Sequence, residues 1–155
     1  LIMLSIQEIS DRLEIQDLIT NYCTVVDKKN WKGYREIFLE DASVDYSGSG
    51  GLSGSVDEVI DYLDASLGFQ KELGFAPSTQ HLVGNFELTL NENNAEVRCM
   101  LYNPIMLGQG EGASAAIFGV WYTFEVERKK VWKIKSLSQE PAIKITGLKD
   151  TGSLF

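Results

Sequence analysis

The sequence predicts an α+β domain in which three N-terminal helices pack against one side of a strongly curved, mostly antiparallel sheet. Two capping-box patterns open helical repeats in the first half of the chain, and near Thr79 the apolar spacing changes from helical to alternating. The alternating segments then follow one another with no helical run between them. With 155 residues, 44% hydrophobic and 23% charged, the chain can bury one sizeable core, so a single domain over residues 1–155 is expected.

Ser5-Ile6-Gln7-Glu8 has the form of a capping box, where a serine hydroxyl and a glutamate satisfy free backbone N–H groups. Ile6, Ile9, Leu13, Leu18, Ile19, Tyr22 and Val26 recur after it at helical spacing and predict a first helix from Ile6 to about Lys28. Asn30 caps a short second helix with Trp31, Tyr34, Ile37 and Phe38 on one side, ending near Glu40-Asp41. Ala42, Val44 and Tyr46 then alternate with Ser43 and Asp45, so a strand leaves that helix directly. The glycine-rich segment from Gly48 to Gly54 reads as a loop, and Ser55-Val56-Asp57-Glu58 opens a third helix over Val56 to Leu67.

A glycine-rich turn between strand and helix suggests phosphate binding, but the residue types do not support it. The G-x-G-x-x-G spacing requires glycine where Ser53 stands, no Gly-Lys-Ser/Thr follows, and the later segments lack strand–helix alternation. Leu82, Phe86, Leu88 and Leu90 alternate up to the turn-rich Asn91–Asn94. Further strands are expected around Val97–Leu101, from Ala115 to Glu127 and from Val131 to Leu137, with Pro141 to Ile145 extending the sheet. Arg128-Lys129-Lys130 reads as the turn between two of them.

A net charge of −8 disfavours nucleic acid as a partner, because affinity for a phosphate backbone comes from Lys and Arg releasing counterions. Cys23 and Cys99 fall in segments that read as buried, which fits small apolar residues in a reducing compartment better than a disulfide. Leu1-Ile2-Met3-Leu4 is far shorter than a signal-peptide core or a membrane span, so a cytoplasmic protein without membrane attachment is expected. One His and two Cys without paired spacing make a poor zinc set, and no metal, nucleotide or flavin cofactor is expected. Consecutive apolar residues from Ile117 to Phe124 suggest a strand buried on both faces, hence a homodimer or higher homo-oligomer.

His81 is the only histidine, and an imidazole is the side chain best suited to move protons near neutral pH once a carboxylate fixes its tautomer. Strict alternation groups it with Val83, Asn85 and Glu87, away from Leu82, Phe86 and Leu88; a bulge at Gly84 would turn it inward instead. Asp27 ends the first helix, where the dipole prefers a cation, so it either solvates the helix end, pairs with Lys28 or Lys29, or has another task. Tyr46 shares a strand face with Val44 and is either packing or a buried phenol with a partner.

Taken together, Ile15-Gln16-Asp17-Leu18, Val26-Asp27-Lys28-Lys29-Asn30-Trp31, Phe38-Leu39-Glu40-Asp41-Ala42, Val44-Asp45-Tyr46 and Thr79-Gln80-His81-Leu82-Val83-Gly84 resemble the NTF2-like superfamily, in its scytalone dehydratase and SnoaL-like branch. The resemblance spans about Ile6 to Leu137 and implies a cone-shaped α+β fold enclosing a pocket. It matches Asp27 and His81 to the Asp–His dyad of scytalone dehydratase-like enzymes, a dyad similar to those of bile-acid 7α-dehydratase and hexachlorocyclohexane dehydrochlorinase. Tyr46 matches an active-site tyrosine, and Tyr22 is placed like the catalytic tyrosine of the bile-acid enzyme. Val26 stands where scytalone dehydratase has a second tyrosine, and a second histidine has no counterpart, which argues against scytalone as substrate.

The implied activity is dehydratase or isomerase chemistry on a small apolar oxygenated ring of polyketide, terpenoid or steroid-like type, with His81 as base, Asp27 orienting it, and Tyr46 helped by Tyr22 polarising a carbonyl or protonating a departing hydroxyl. Trp31, Phe86, Met100, Met106, Phe118 and Trp121 are available to line an apolar pocket, and Asn103 to hydrogen-bond the ligand. The rival reading is a non-catalytic ligand-binding protein, or a structural subunit like the small subunit of ring-hydroxylating dioxygenases.

Overall fold

The computed structural model describes residues 3–149 apart from Leu73 and Gln109, so Leu1 and Ile2 of the opening apolar run lie outside the described residues. In chain order the elements are α1 (Ile6–Asp27), α2 (Trp31–Glu36), β1 (Phe38–Asp45), β2 (Ser53–Ser55), α3 (Val56–Leu67), β3 (Ser78–Thr79), β4 (Leu82–Asn91), β5 (Asn94–Met106), β6 (Ser114–Arg128) and β7 (Trp132–Lys149). One sheet runs β2-β1-β7-β6-β5-β3, with β4 paired to β5 along the same edge as β3. Every pairing is antiparallel except that of β1 with β7. The strongly curved sheet carries the three helices on one side, which is the α+β cone expected from the change of period.

Both capping boxes form, Ser5 with Glu8 and Ser55 with Glu58. α1 buries Ile15, Ile19, Tyr22, Cys23, Val25 and Val26, while Ile6, Ile9 and Leu13 of the expected stripe are exposed. At that end the buried residue is Asp11, which pairs with Arg128 and accepts from Trp132 Nε1 and Gln7 Nε2. Polar contacts to β6 and β7, rather than an apolar stripe, therefore hold the first turns of α1.

Two stretches differ from the sequence reading. Phe38–Asp41 is strand rather than the end of α2: Ile134 N–H donates to Ile37 O, Phe38 pairs with Ile134, and Phe38, Ala42 and Val44 turn into the core. Two adjacent apolar residues, Ile37 and Phe38, fit either period, so spacing alone could not place this boundary. The glycine-rich stretch contains a single 3₁₀ turn, Ser47–Ser49, followed by β2, which pairs with Ser43–Asp45.

Inside the cone, Val97, Cys99 and Leu101 of β5 meet Val120, Tyr122, Phe124 and Val126 of β6 and Trp132, Ile134 and Leu137 of β7. Each large apolar side chain so buried stabilises by roughly 1.5–3 kcal/mol, so this cluster supplies the rigid wall behind the site. β7 continues through Pro141–Ile145 as expected, and Glu140–Lys149 is exposed.

A bulge in β4 sets the site. Gly84 pairs with Met100 but Glu87 pairs with Arg98, so one extra residue is accommodated in between. Asn85 takes it up at φ +52°, in the left-handed region that asparagine tolerates better than most residues. Beyond the bulge Phe86, Leu88 and Leu90 pack on the core; before it His81 and Val83 are partly buried and Leu82, grouped with the apolar set by strict alternation, is 66% exposed.

Candidate active site

Asp27 ends α1 where the helix carbonyls repel a carboxylate, and three donors from the β3–β4 corner compensate. Thr79 Oγ1 donates to Oδ1 at 2.9 Å, the His81 backbone N–H donates to Oδ2 at 2.9 Å, and His81 Nδ1 lies 2.6 Å from Oδ1. Lys29 Nζ instead donates to the Asp27 carbonyl at 3.1 Å. Burial pushes the Asp27 carboxyl up, but the bonds from His81 and Thr79 outweigh it and hold the group below the ordinary carboxylate value. Facing an anionic oxygen at that distance, Nδ1 carries a proton.

Nε2 of His81 is then the atom turned toward the cavity. Asn103, 8% exposed, has its amide 3.4 Å from Nε2. Its hydrogen bonds are best met with the NH₂ group donating to Gln80 O at 3.2 Å and Pro104 O at 3.3 Å, which presents Oδ1 to Nε2. That oxygen can accept from Nε2–H once His81 has taken a proton.

The cavity holds about 700 Å³ of empty space, its mouth included. His81, Asn103, Tyr22, Tyr46, Tyr62, Tyr122, Gln139, Ser49 and Ser66 supply its polar groups, and Val26, Leu63, Leu101, Ile105, Phe118 and Val120 much of its apolar wall. Asp27 and Thr79 stand behind the imidazole, off that wall. A mostly apolar cavity with a few convergent polar groups suits a small organic molecule.

Beside the imidazole is a cluster of phenols. Tyr46 Oη is 2.6 Å from Tyr22 Oη and 2.9 Å from Tyr34 Oη; Tyr22 Oη donates to Tyr122 Oη at 3.5 Å, and Gln139 Nε2 to the same oxygen at 3.4 Å. Burial raises all four phenols well above the usual tyrosine value, so they are neutral donors. Tyr22 also meets His81 edge to face, with ring centroids 6.4 Å apart.

The structure thus brings Asp27, His81, Tyr22, Tyr46, Asn103 and Phe118 together at one cavity. Five residues expected in its lining lie elsewhere. Trp31 donates from Nε1 to Asp64 at 2.7 Å and ties α2 to α3, and Phe86 packs on the core past the bulge. Met100, 38% exposed, accepts from Asn85 Nδ2, and Trp121 carries the Arg98 guanidinium 3.8 Å from its ring centre. Met106, on β5 like Met100, is likewise 38% exposed. Tyr34, Tyr122 and Gln139 were missed; Tyr122 had a signal, since alternation places it inward with Val120 and Phe124, where a phenol needs a partner.

A curved cone with this cavity defines a protein of the NTF2-like class, whose members include small-molecule binders and dehydratase or isomerase relatives. More narrowly, the SnoaL-like domain profile matches residues 7–138, and the chain belongs to that family. An uncharacterized Mycobacterium tuberculosis protein, Rv2910c, is 32% identical over 133 residues, covering 85% of this chain and 86% of that one. A crystal structure of a candidate scytalone dehydratase from Novosphingobium aromaticivorans superposes with a TM-score of 0.73 at 17% identity, covering 94% of each chain. A type 2 hexachlorocyclohexane dehydrochlorinase, LinA, gives a TM-score of 0.72 at 20% identity over 90% of each chain. At these identities the two structures speak for the fold. No described helix is long and apolar enough to cross a membrane.

Proposed function

We propose that this protein is a cofactor-independent dehydratase or isomerase acting on a small, largely apolar oxygenated ring of polyketide, terpenoid or steroid-like type. The observation that carries the reading is the orientation of His81: Nδ1 is held by Asp27 while Nε2 faces the cavity beside neutral phenols. Nε2 takes a proton from carbon next to a carbonyl, and the C–H electron pair moves onto the carbonyl oxygen as an enolate. A wall phenol donates to that oxygen, Asp27 balances the imidazolium charge, and Asn103 Oδ1 accepts from Nε2–H. In a dehydratase the enolate electrons expel a β-hydroxyl, which leaves as water with the proton returned by Nε2; in an isomerase that proton returns to a different carbon.

The single domain, the cytoplasmic setting and a homo-oligomer built on the outer sheet face belong to the same reading. Exposed Met100, Tyr102, Ile143 and Ile145 on β5 and β7 support the oligomer, which sedimentation at micromolar concentration tests.

A panel of cyclic β-hydroxy ketones, followed by the ultraviolet band of the enone product, tests the chemistry. His81→Ala is expected to slow the reaction by about 10²–10⁴, the range for a positioned general base. Saturable ligand binding with no product from the wild-type protein would support the non-catalytic reading in its place.

A further inference from the structure

The four buried phenols have one proton each to donate, and their contacts fix the direction in which three of those protons point. Tyr34 lies off the cavity wall with no exposure, and among the described residues its hydroxyl has one partner, Tyr46 Oη at 2.9 Å. Unless Tyr34 donates into that contact, its proton is buried without an acceptor, which costs about 1–3 kcal/mol. At the other end, Tyr22 is the donor in a long contact of 3.5 Å to Tyr122 Oη. Since Tyr22 spends its single proton on Tyr122, the bond of 2.6 Å between Tyr22 and Tyr46 is donated by Tyr46. Tyr46 thereby accepts from Tyr34 and donates to Tyr22.

The chain of donors therefore runs Tyr34 to Tyr46 to Tyr22 to Tyr122. Tyr122 receives two bonds, from Tyr22 Oη and Gln139 Nε2, and both occupy the oxygen as an acceptor. Its own proton is unused within the cluster, and its side chain forms part of the cavity wall. We propose that Tyr122, rather than Tyr46 or Tyr22, is the hydroxyl that donates to the oxygen of the bound ligand. This deepens the proton-abstraction reading, on which it rests only for the nature of that oxygen.

Two consequences follow for recognition. Each phenol that accepts a bond becomes a better donor to the next, so a chain pointing one way strengthens the terminal O–H as negative charge grows on its acceptor. The ligand must then present an acceptor oxygen, a carbonyl or an enolate, at Tyr122 and an acidic C–H at His81. A ring whose only polar groups are donors, such as an ammonium, finds no partner in the Tyr122 proton.

Neutron diffraction from crystals of the protein grown in D₂O locates the hydroxyl deuterons without any need for turnover. The expected map has deuterons on Tyr34, Tyr46 and Tyr22 directed at the next oxygen in the chain and the Tyr122 deuteron directed into the cavity. A Tyr46 deuteron pointing into the cavity, or a Tyr122 deuteron placed on Tyr22, overturns the assignment while leaving the His81 reading intact. In the ketone assay, Tyr122→Phe is expected to lower kcat by about 10²–10³, as for loss of one oxyanion donor, and Tyr34→Phe by less than about threefold. The reverse ranking overturns the proposal. A protein that turns over none of the ketones defeats the lyase reading, and the deuteron map still decides the donor.

Discussion

Replacing Asp27 by asparagine is expected to move the His81 proton from Nδ1 to Nε2 while leaving the fold intact. An asparagine has one acceptor oxygen where the carboxylate uses two. With its NH₂ group at the Oδ2 position it would confront the His81 backbone N–H, a donor that cannot reverse. With its oxygen there instead, the NH₂ group faces Thr79 Oγ1, which can accept, and Nδ1, which can accept once its proton moves to Nε2. The second arrangement keeps all three contacts, and Asn103 Oδ1 is placed to take the new Nε2–H.

The stability change follows from the same count. A hydrogen bond to a charged group contributes about 1.5–3 kcal/mol and a neutral one about 0.5–1.5, and three bonds weaken. The Asp27 side chain is 26% exposed, so solvent screening cuts the difference to about 1–3 kcal/mol, or a fall in Tm of roughly 3–10 °C for a chain of this size. Urea denaturation gives the first quantity. Long-range proton–nitrogen spectra give the tautomer, with a single histidine supplying both ring nitrogens. Turnover is expected to fall because the lone pair no longer faces the cavity. An Asp27→Asn protein whose Nε2 stays unprotonated, or which loses more than about 5 kcal/mol, would refute this reasoning.

The Asp27 carboxyl lies below its unfolded value near 3.9, so its stabilisation is complete above that value and is lost as pH falls through the folded one. The denaturation gap between wild type and Asp27→Asn is therefore expected to hold down to about pH 4 and to narrow below it; a gap unchanged to pH 2 would count against the bonds described. Burial pushes the Cys23 and Cys99 thiols up to about 12, so a thiol reagent at pH 8 should label the native protein far more slowly than the unfolded chain. Asn85→Val places a β-branched residue at φ +52° and is expected to cost about 1–3 kcal/mol in denaturation, whereas Asn85→Gly stays within about 0.5 kcal/mol. Equal stabilities would mean that the bulge does not constrain that residue.

The helices were legible because caps are local: Ser5 with Glu8 and Ser55 with Glu58 can be read within four residues and fold as written. The strand boundary at Phe38 was not, because it is fixed by β7, nearly a hundred residues away in sequence. Asp27 was visible as an acid in the wrong place on a helix, yet its partners Thr79 and His81 arrive from the far edge of the sheet. The inward turn of His81 depends on a bulge that alternation alone would have denied. Met100 and Trp121 illustrate the opposite error, since residue type suggested a pocket and strand parity puts both on the outer face, where Trp121 stacks with Arg98. Tyr34 joined the site only through Tyr46, a contact no spacing reveals.

Dehydration and isomerisation diverge after the first step and share it, so the most direct measurement is of that step alone. Cyclic ketones incubated with the protein in D₂O and read by mass spectrometry report deuterium uptake at the carbon beside the carbonyl, whichever bond changes later. Exchange by the wild-type protein is predicted to exceed that of His81→Ala by about 10²–10⁴, with Asp27→Asn also reduced. Equal exchange by wild type and His81→Ala would contradict the assignment of Nε2 as the proton acceptor.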